Sequence, residues 1–227
     1  HVKIHPDGAK SPKAYYRVPK TSVELIARPD TTSKTAAMAA PGEDKKFGKE
    51  QGKLNAAEAC YRRALQIKPD YAMAHNNLGV TFNGLGQPTD AIVEFRRALS
   101  LDTSLASAWF NLGVAHEALG QVAEARAAYE RGLALNPREA HALFDLAMLD
   151  ARAGRLTESV EALERAVAAD DRSPELRNEL GRAYLAVGRA VDAQQAFEQA
   201  LALDPQSAAA RANLALAREA AAGRRAT

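Results

Sequence analysis

From Gly52 onward the apolar positions recur at helical spacing, in pairs of short runs parted by turn residues. Residues 106–139 show the pattern most fully. Trp109, Leu112, Gly113, His116 and Leu119 fall on one stripe, and Gly120 and Gln121 interrupt it. Val122, Ala125, Tyr129, Gly132 and Leu133 then resume the spacing, and Pro137 closes the stretch. Apolar residues three and four apart make one face of a helix, so the stretch predicts two helices joined by a tight turn. The pattern returns over 72–105, 140–173 and 174–207, with a unit length of 34 and no insertion. A two-helix unit at a fixed period marks a stacked repeat, in which no unit buries its apolar face alone.

The register is held by particular residues. Residues 72–105 carry His75, Leu78, Gly79, Phe82, Gly86, Ala91, Phe95 and Ala98, with Thr103 near the end. Residues 140–173 carry Leu143, Leu146, Ala147, Asp150, Gly154, Ser159, Leu163, Ala166 and Asp171, the weakest set. Residues 174–207 carry Leu180, Gly181, Tyr184, Gly188, Ala193, Phe197, Ala200 and Pro205. These units resemble the tetratricopeptide repeat (TPR), whose pattern is Trp-x2-Leu-Gly-x2-Tyr followed by Gly, Ala, an aromatic, Ala and Pro. In 106–139 the pattern maps onto Trp109, Leu112, Gly113, His116, Gly120, Ala125, Tyr129, Gly132 and Pro137, with His116 standing for the aromatic and Gly132 for the second Ala.

The resemblance covers residues 52–222 and implies an all-α fold, a right-handed α-solenoid of helix-turn-helix repeats with an extended N-terminal arm. Gly79, Gly113, Ala147 and Gly181 would then lie where the two helices of a unit approach closely, and Gly86, Gly120, Gly154 and Gly188 would end the first helices in a left-handed conformation. Residues 42–71 read as a degenerate first repeat. Ala57, Tyr61, Ala64 and Pro69 match a second helix, while Pro41, Gly42 and Gly48 shorten or break the first helix expected over 38–51. Residues 208–227 read as a capping helix and tail, with Leu214 and Ala215 in register and Arg211, Arg218 and Glu219 making it partly polar, as the end of a solenoid requires.

Composition separates the first stretch from the rest. Residues 1–53 carry 11 basic and 6 acidic side chains, a balance of +5, and nine of the eleven are Lys. Residues 54–227 carry 19 and 22, a balance of −3, with Lys68 the single Lys. Residues 1–41 are punctuated by Pro6, Pro12, Pro19, Pro29 and Pro41, each of which removes a backbone donor and extends the residue before it. They read as an extended basic arm. Thr21 with Glu24 can cap a helical turn, and Val23 and Leu25 equally alternate as in an edge strand. Tyr15 and Tyr16 are the arm's candidate anchors, since rigid aromatics gain contact area at low entropic cost. The arm is either an attachment device or a solvated tail. His1 is not what trimming of an initiator Met leaves. Signal removal, a later cleavage, or a sequence that starts partway along the chain each account for it; the first, slightly favoured here, places the protein outside the cytosol, in a periplasm or envelope. The Arg-for-Lys usage and abundant Ala after residue 53 point to a GC-rich, bacterial genome.

Chemistry-bearing motifs are sparse. No P-loop, Gly-rich dinucleotide loop, His-Glu-x-x-His or Cys-x-x-Cys-His stands in the chain, and no apolar run reaches the length of a membrane span. Cys60 is the single cysteine, which excludes an internal disulfide framework. His1 and His5 read as a plain tail rather than a metal site. His116 and Asp150 share the family's aromatic position in adjacent units, which allows a hydrogen bond between them. No nucleophile accompanies them, so the pair reads as structural. The expectation is no catalytic residue, no metal and no cofactor.

The resemblance places the functional surface on the concave face lined by first helices. The corresponding residues are Met73, Asn76, Asn77 and Val80; Ser107, Phe110, Asn111 and Val114; His141, Phe144, Asp145 and Met148; Glu175, Asn178, Glu179 and Arg182; and Asn213. In relatives that hold extended peptides an Asn ladder pairs with the ligand backbone; Asn77, Asn111 and Asn213 recur at that position here, and Asp145 and Glu179 interrupt it. Val80 and Phe110 occupy places of the set by which chaperone-binding relatives clamp a terminal carboxylate. The candidate partner contacts are therefore Asn76, Asn77, Phe110, Asn111, Val114, Phe144, Asp145, Met148, Asn178 and Arg182, with Tyr15 and Tyr16 of the arm. The reading is a non-catalytic protein–protein scaffold, an accessory or assembly subunit that binds a partner segment in its groove, with the arm on a neighbouring subunit. The alternative is the regulatory repeat region of an enzyme whose catalytic domain lies elsewhere. A balance of −3 offers no basic stripe for nucleic acid.

Overall fold

The computed structural model describes residues 47–223, and these are helical throughout apart from short turns. The helices are α1 (Phe47–Ile67), α2 (Ala72–Gly84), α3 (Pro88–Leu101), α4 (Ala106–Ala118), α5 (Val122–Leu135), α6 (Ala140–Arg152), α7 (Leu156–Ala169), α8 (Pro174–Ala186), α9 (Ala190–Leu203) and α10 (Ala208–Gly223). The arm, with Tyr15, Tyr16 and residues 21–27, lies outside the described residues. So does the part of the expected first helix before Phe47. From Phe47 the expected first helix is continuous with the second: both belong to α1, which runs through Gly48 and Gly52 without a break.

The chain divides into two compact units within α5, one ending at Ala128 and the other beginning at Tyr129. In each, helices adjacent in sequence pack as consecutive pairs, the arrangement of a TPR solenoid. In the first unit the core joins Tyr61, Leu78, Phe82, Ile92, Phe95, Leu99 and Leu112 with a set of alanines. In the second, Ala147, Val160, Leu163 and Leu180 form one cluster, and Phe197, Leu214 and Ala217 another. Full burial of a side chain such as Phe95 contributes roughly 1.5–3 kcal/mol, so stability is spread over many such contacts.

Three local devices position the helices. The first is a close approach. A Cβ on Gly79 would lie 2.6 Å from the Phe95 ring, and one on Gly181 would lie 2.5 Å from the Phe197 ring. Ala147 is tolerated at the corresponding place, where the opposing cluster contains Leu163 instead of an aromatic ring.

The second device ends the first helices. Gly86, Gly120, Gly154 and Gly188 have φ of 75°, 72°, 77° and 80°. Each sits in a Schellman cap: Gly154 N–H donates to Ala151 O at 3.0 Å, and Arg155 N–H to Asp150 O at 2.9 Å. The third device pins the loop that enters a first helix. Trp109 Nε1 donates to Thr103 O at 3.1 Å, Arg177 Nη2 to Asp171 O at 2.8 Å, and Arg211 Nη2 to Pro205 O at 3.1 Å. His75 Nε2 reaches Pro69 O at 3.0 Å in the same way. Each donor stands six residues after its carbonyl. Leu143 occupies this position in 140–173 and has no donor to offer.

Candidate partner-binding surface

Each unit is taken by itself. In the first, α2 carries Asn76, Asn77 and Val80, and α4 carries Phe110, Asn111 and Val114. Asn111 Nδ2 donates to Asn76 Oδ1 at 3.0 Å, and Asn76 Nδ2 to Asn77 Oδ1 at 3.4 Å. Asn76 and Asn111 are each 5% exposed. Their amides are thus committed to one another, as buried polar groups must be, and link neighbouring first helices. Phe110 is buried too, whereas Asn77, Val80 and Val114 are half-buried and Met73 is 43% exposed. Apart from His75 and His116, Glu117 is the only ionisable residue in α2 and α4.

In the second unit, α6 carries Phe144, Asp145 and Met148, all half-buried. Phe144 and Met148 pack against the Val160–Leu163 cluster. Asn178 on α8 accepts from Asn213 Nδ2 of α10 at 3.0 Å, repeating the bond between Asn76 and Asn111. Here the chain of bonds continues from Asn178 Nδ2 to Glu179 Oε1 at 3.4 Å, and Arg182 Nη1 holds both oxygens of Glu179 at 3.1 and 3.0 Å. Glu179 and Arg182 therefore meet each other. Leu216, 56% exposed, is an open apolar side chain absent from the predicted set. Its signal was available: it stands in the register of Val80, Val114, Met148 and Arg182, at steps of 34.

Within their own units His116 and Asp150 stand at the helix caps. His116 Nδ1 lies 2.5 Å from Gln121 Oε1, and Arg155 Nε donates to Asp150 Oδ1 at 2.8 Å. In each case a residue in the last turn of a first helix meets the residue just past the left-handed glycine. Tyr184 follows the same rule, with the Arg189 guanidinium 4.3 Å from its ring centre. Its hydroxyl donates to Glu164 at 2.7 Å. Burial, with Glu164 second, pushes the Tyr184 phenol up to about 12.

Among the described residues no group of three His, Cys, Asp or Glu side chains could hold a metal ion, and no helix is long and apolar enough to cross a membrane. Two clefts, of about 350 and 690 Å³, have none of the predicted contact residues in their walls. Of the predicted contacts among the described residues, Asn77, Val114, Phe144, Asp145, Met148, Asn178 and Arg182 are at least partly open, whereas Asn76, Phe110 and Asn111 are buried.

The family model of the cilia and flagella-associated protein 70 C-terminal domain matches residues 25–226. No curated protein matches. Among solved structures, MamA is similar over 75% of this chain and 99% of its own, at 27% identity and a TM-score of 0.64. The Pseudomonas aeruginosa protein pilF is similar over 78% and 83%, at 23% identity and a TM-score of 0.65. YrrB, described as a TPR protein with an unusual peptide-binding site, is similar over 72% and 84%, at 21% identity and a TM-score of 0.59. The likeness to pilF and YrrB is one of fold.

Proposed function

Because the chain belongs to the family of the cilia and flagella-associated protein 70 C-terminal domain, a TPR family, we propose that it is a non-catalytic scaffold that holds segments of a partner protein on its first-helix faces. TPR domains are generally protein-interaction modules, and the finer reading is an accessory or assembly subunit of a larger complex. One observation carries it. Apolar side chains stay partly open on these faces, at Met73, Val80, Val114, Phe144, Met148 and Leu216, while the polar groups beside them are tied to one another. Such a surface loses little on desolvation and gains from apolar contact.

The contacts proposed are Asn77 and Val114, with Phe110, Asn76 and Asn111 behind them, in the first unit. In the second they are Phe144, Asp145, Met148, Asn178 and Arg182. The arm, basic where the rest is acidic, attaches to a neighbouring subunit through Tyr15 and Tyr16. The Arg-rich, Ala-rich composition keeps a bacterial source as our reading.

The test begins with affinity capture from the native source and identification of what co-purifies. Phe110→Ala with Phe144→Ala then weakens capture of that partner while far-ultraviolet dichroism stays helical. Unchanged capture by the helical double variant removes the first-helix faces as the site. Deleting residues 1–41 releases the protein from its complex; assembly at undiminished affinity would reduce the arm to a tail.

A further inference from the structure

The first helices α2, α4, α6 and α8 are each followed by a second helix. α10 is a fifth first helix, and none follows it among the described residues. The position that meets the second helix shows the difference. Gly79, Gly113, Ala147 and Gly181 are buried there, and Gly79 and Gly181 lie under the rings of Phe95 and Phe197. Ala215 stands in the same register, one repeat length after Gly181, and is exposed. α10 thus keeps a small residue at the place of closest helix approach, without a described helix over it. The two clefts repeat the comparison. Glu58, Arg62 and Phe82 line the smaller, of about 350 Å³, and its remaining wall is α3 with its N-cap, through Gln87, Asp90, Val93 and Glu94. Gln194, Glu198 and Arg218, each four repeat lengths later, line the larger, of about 690 Å³. Its other walls are α9 and α10 again, through Val191, 64% exposed, and Ala221 and Ala222. The larger cleft is the smaller one without its second helix.

What fills this place in the other units defines what fits it here. α3, α5, α7 and α9 are each 14 residues long, with an acid in the first turn: Asp90, Glu124, Glu158 and Asp192. Their buried stripe sets a large side chain between two small ones, as Phe197 stands between Ala193 and Ala200. The first-turn acid comes down beside the register of Arg218. Asp90 shares the smaller cleft with Phe82, and Asp192 holds Arg189, whose guanidinium lies on the Tyr184 ring. On α10 this register carries a cation. Arg218 Nη2 donates to Glu198 at 3.1 Å, and its side chain is 59% exposed. An acid in the first turn of an incoming helix would therefore meet opposite charge.

We propose that the cleft between α9 and α10 seats an amphipathic helix of a partner protein in the place of a second helix. The helix is about as long as α9, has an acid in its first turn that meets Arg218, and lays an aromatic side chain, flanked by small ones, on Ala215. This site is distinct from the first-helix faces that line the groove and does not depend on them. An isolated helix of this length is marginal in water, so the segment orders as its apolar stripe is covered by Val191, Ala215, Ala221 and Ala222.

The probe is an acetylated and amidated peptide with the sequence of residues 190–203, which contains Asp192, Ala193, Phe197 and Ala200. It is titrated into the full chain labelled with 15N. Binding is saturable, on the order of a millimolar, and moves the amide signals of Val191, Ala215, Ala221 and Ala222 while those of Val80 and Val114 stay. Ala215→Arg fills the seat from an exposed helical position, leaves the dichroism of the chain helical, and weakens the peptide about ten-fold or more. Phe197→Ala in the peptide weakens it similarly. Arg218→Glu weakens the peptide about five-fold, and Asp192→Lys in the peptide restores binding to that variant. No saturable shift, shifts confined to the first-helix faces, or binding undiminished by Ala215→Arg or by Arg218→Glu overturns the proposal. Two further outcomes also overturn it. A chain that sediments as a dimer and becomes a monomer with Ala215→Arg gives the cleft to a second copy. Shifts at Ala221 and Ala222 on deleting residues 1–41 give it to the arm.

Discussion

Arg155 donates through Nε to Asp150 across 2.8 Å, and Asp150, 1% exposed, is thereby paired inside the cap that ends α6. The pair joins the last turn of the helix to the residue just past Gly154, where a Schellman cap ordinarily carries an apolar contact. Replacing Arg155 with Met removes one charged partner of the buried carboxylate. The expected loss is about 1–3 kcal/mol, read as a lower urea midpoint. A midpoint equal to that of the wild type would show that the carboxylate does not depend on Arg155.

Ser159 is as buried as Asp150, yet its Oγ has no partner among the described residues. Ala91, Ala125 and Ala193 hold the same register position and are fully buried. Ser159→Ala removes an unsatisfied group at little cost in volume and raises stability by about 1 kcal/mol. A fall in the unfolding midpoint would show that the hydroxyl is bonded in solution.

The loop pins make a pattern with one omission. Trp109→Phe puts a smaller aromatic ring in place of the indole and loses the N–H that reaches Thr103 O, the lost bond costing about 0.5–1.5 kcal/mol. The 140–173 unit lacks the pin at Leu143 and carries the unbonded Ser159. Amide hydrogen exchange is therefore fastest there among the four full repeats. Strongest protection in that unit would contradict both points.

Gly181→Ala drives a methyl into the Phe197 ring, 2.5 Å away. Ring and helix must shift together, and overpacking of this kind costs about 1–3 kcal/mol. Gly86→Ala fails for another reason, since its neighbourhood is open but its φ of 75° is the left-handed region. Its cost is about 1 kcal/mol. Calorimetry on the two variants checks the order.

Tyr184 titrates late. Burial and Glu164 favour its protonated form in the folded chain, to about 12 against an ordinary value of 10.0. The unfolded chain releases this proton first, so the contribution is whole below about pH 10 and is lost as pH rises towards 12. Phenolate absorbance should show Tyr184 ionising late, and buried Tyr61, whose phenol burial also pushes up, ionising above the ordinary value as well. Glu164→Gln should bring Tyr184 earlier; an unmoved titration would mean that Glu164 does not contribute.

The helix pairs, their 34-residue register and the glycines that end the first helices were legible in the chain by itself. They depend on local spacing: a stripe every three or four residues reports which side of a helix is buried, and a lone glycine after it reports a left-handed cap. Which residues to expect on the first-helix faces was implied by the family resemblance. Their individual states were not. Asn76 and Asn111 look like any exposed amides in sequence, but their bond joins residues 35 apart, on different helices. His116 and Asp150 each meet a residue five places on, because the turn after the glycine folds back. Leu216 was in register with Val80, Val114 and Met148, but only packing decided that it stays open while Leu214 beside it is covered. Periodicity averages burial over a helix. Hydrogen-bond partners and the exposure of single side chains depend on distances that exist only once the helices are packed.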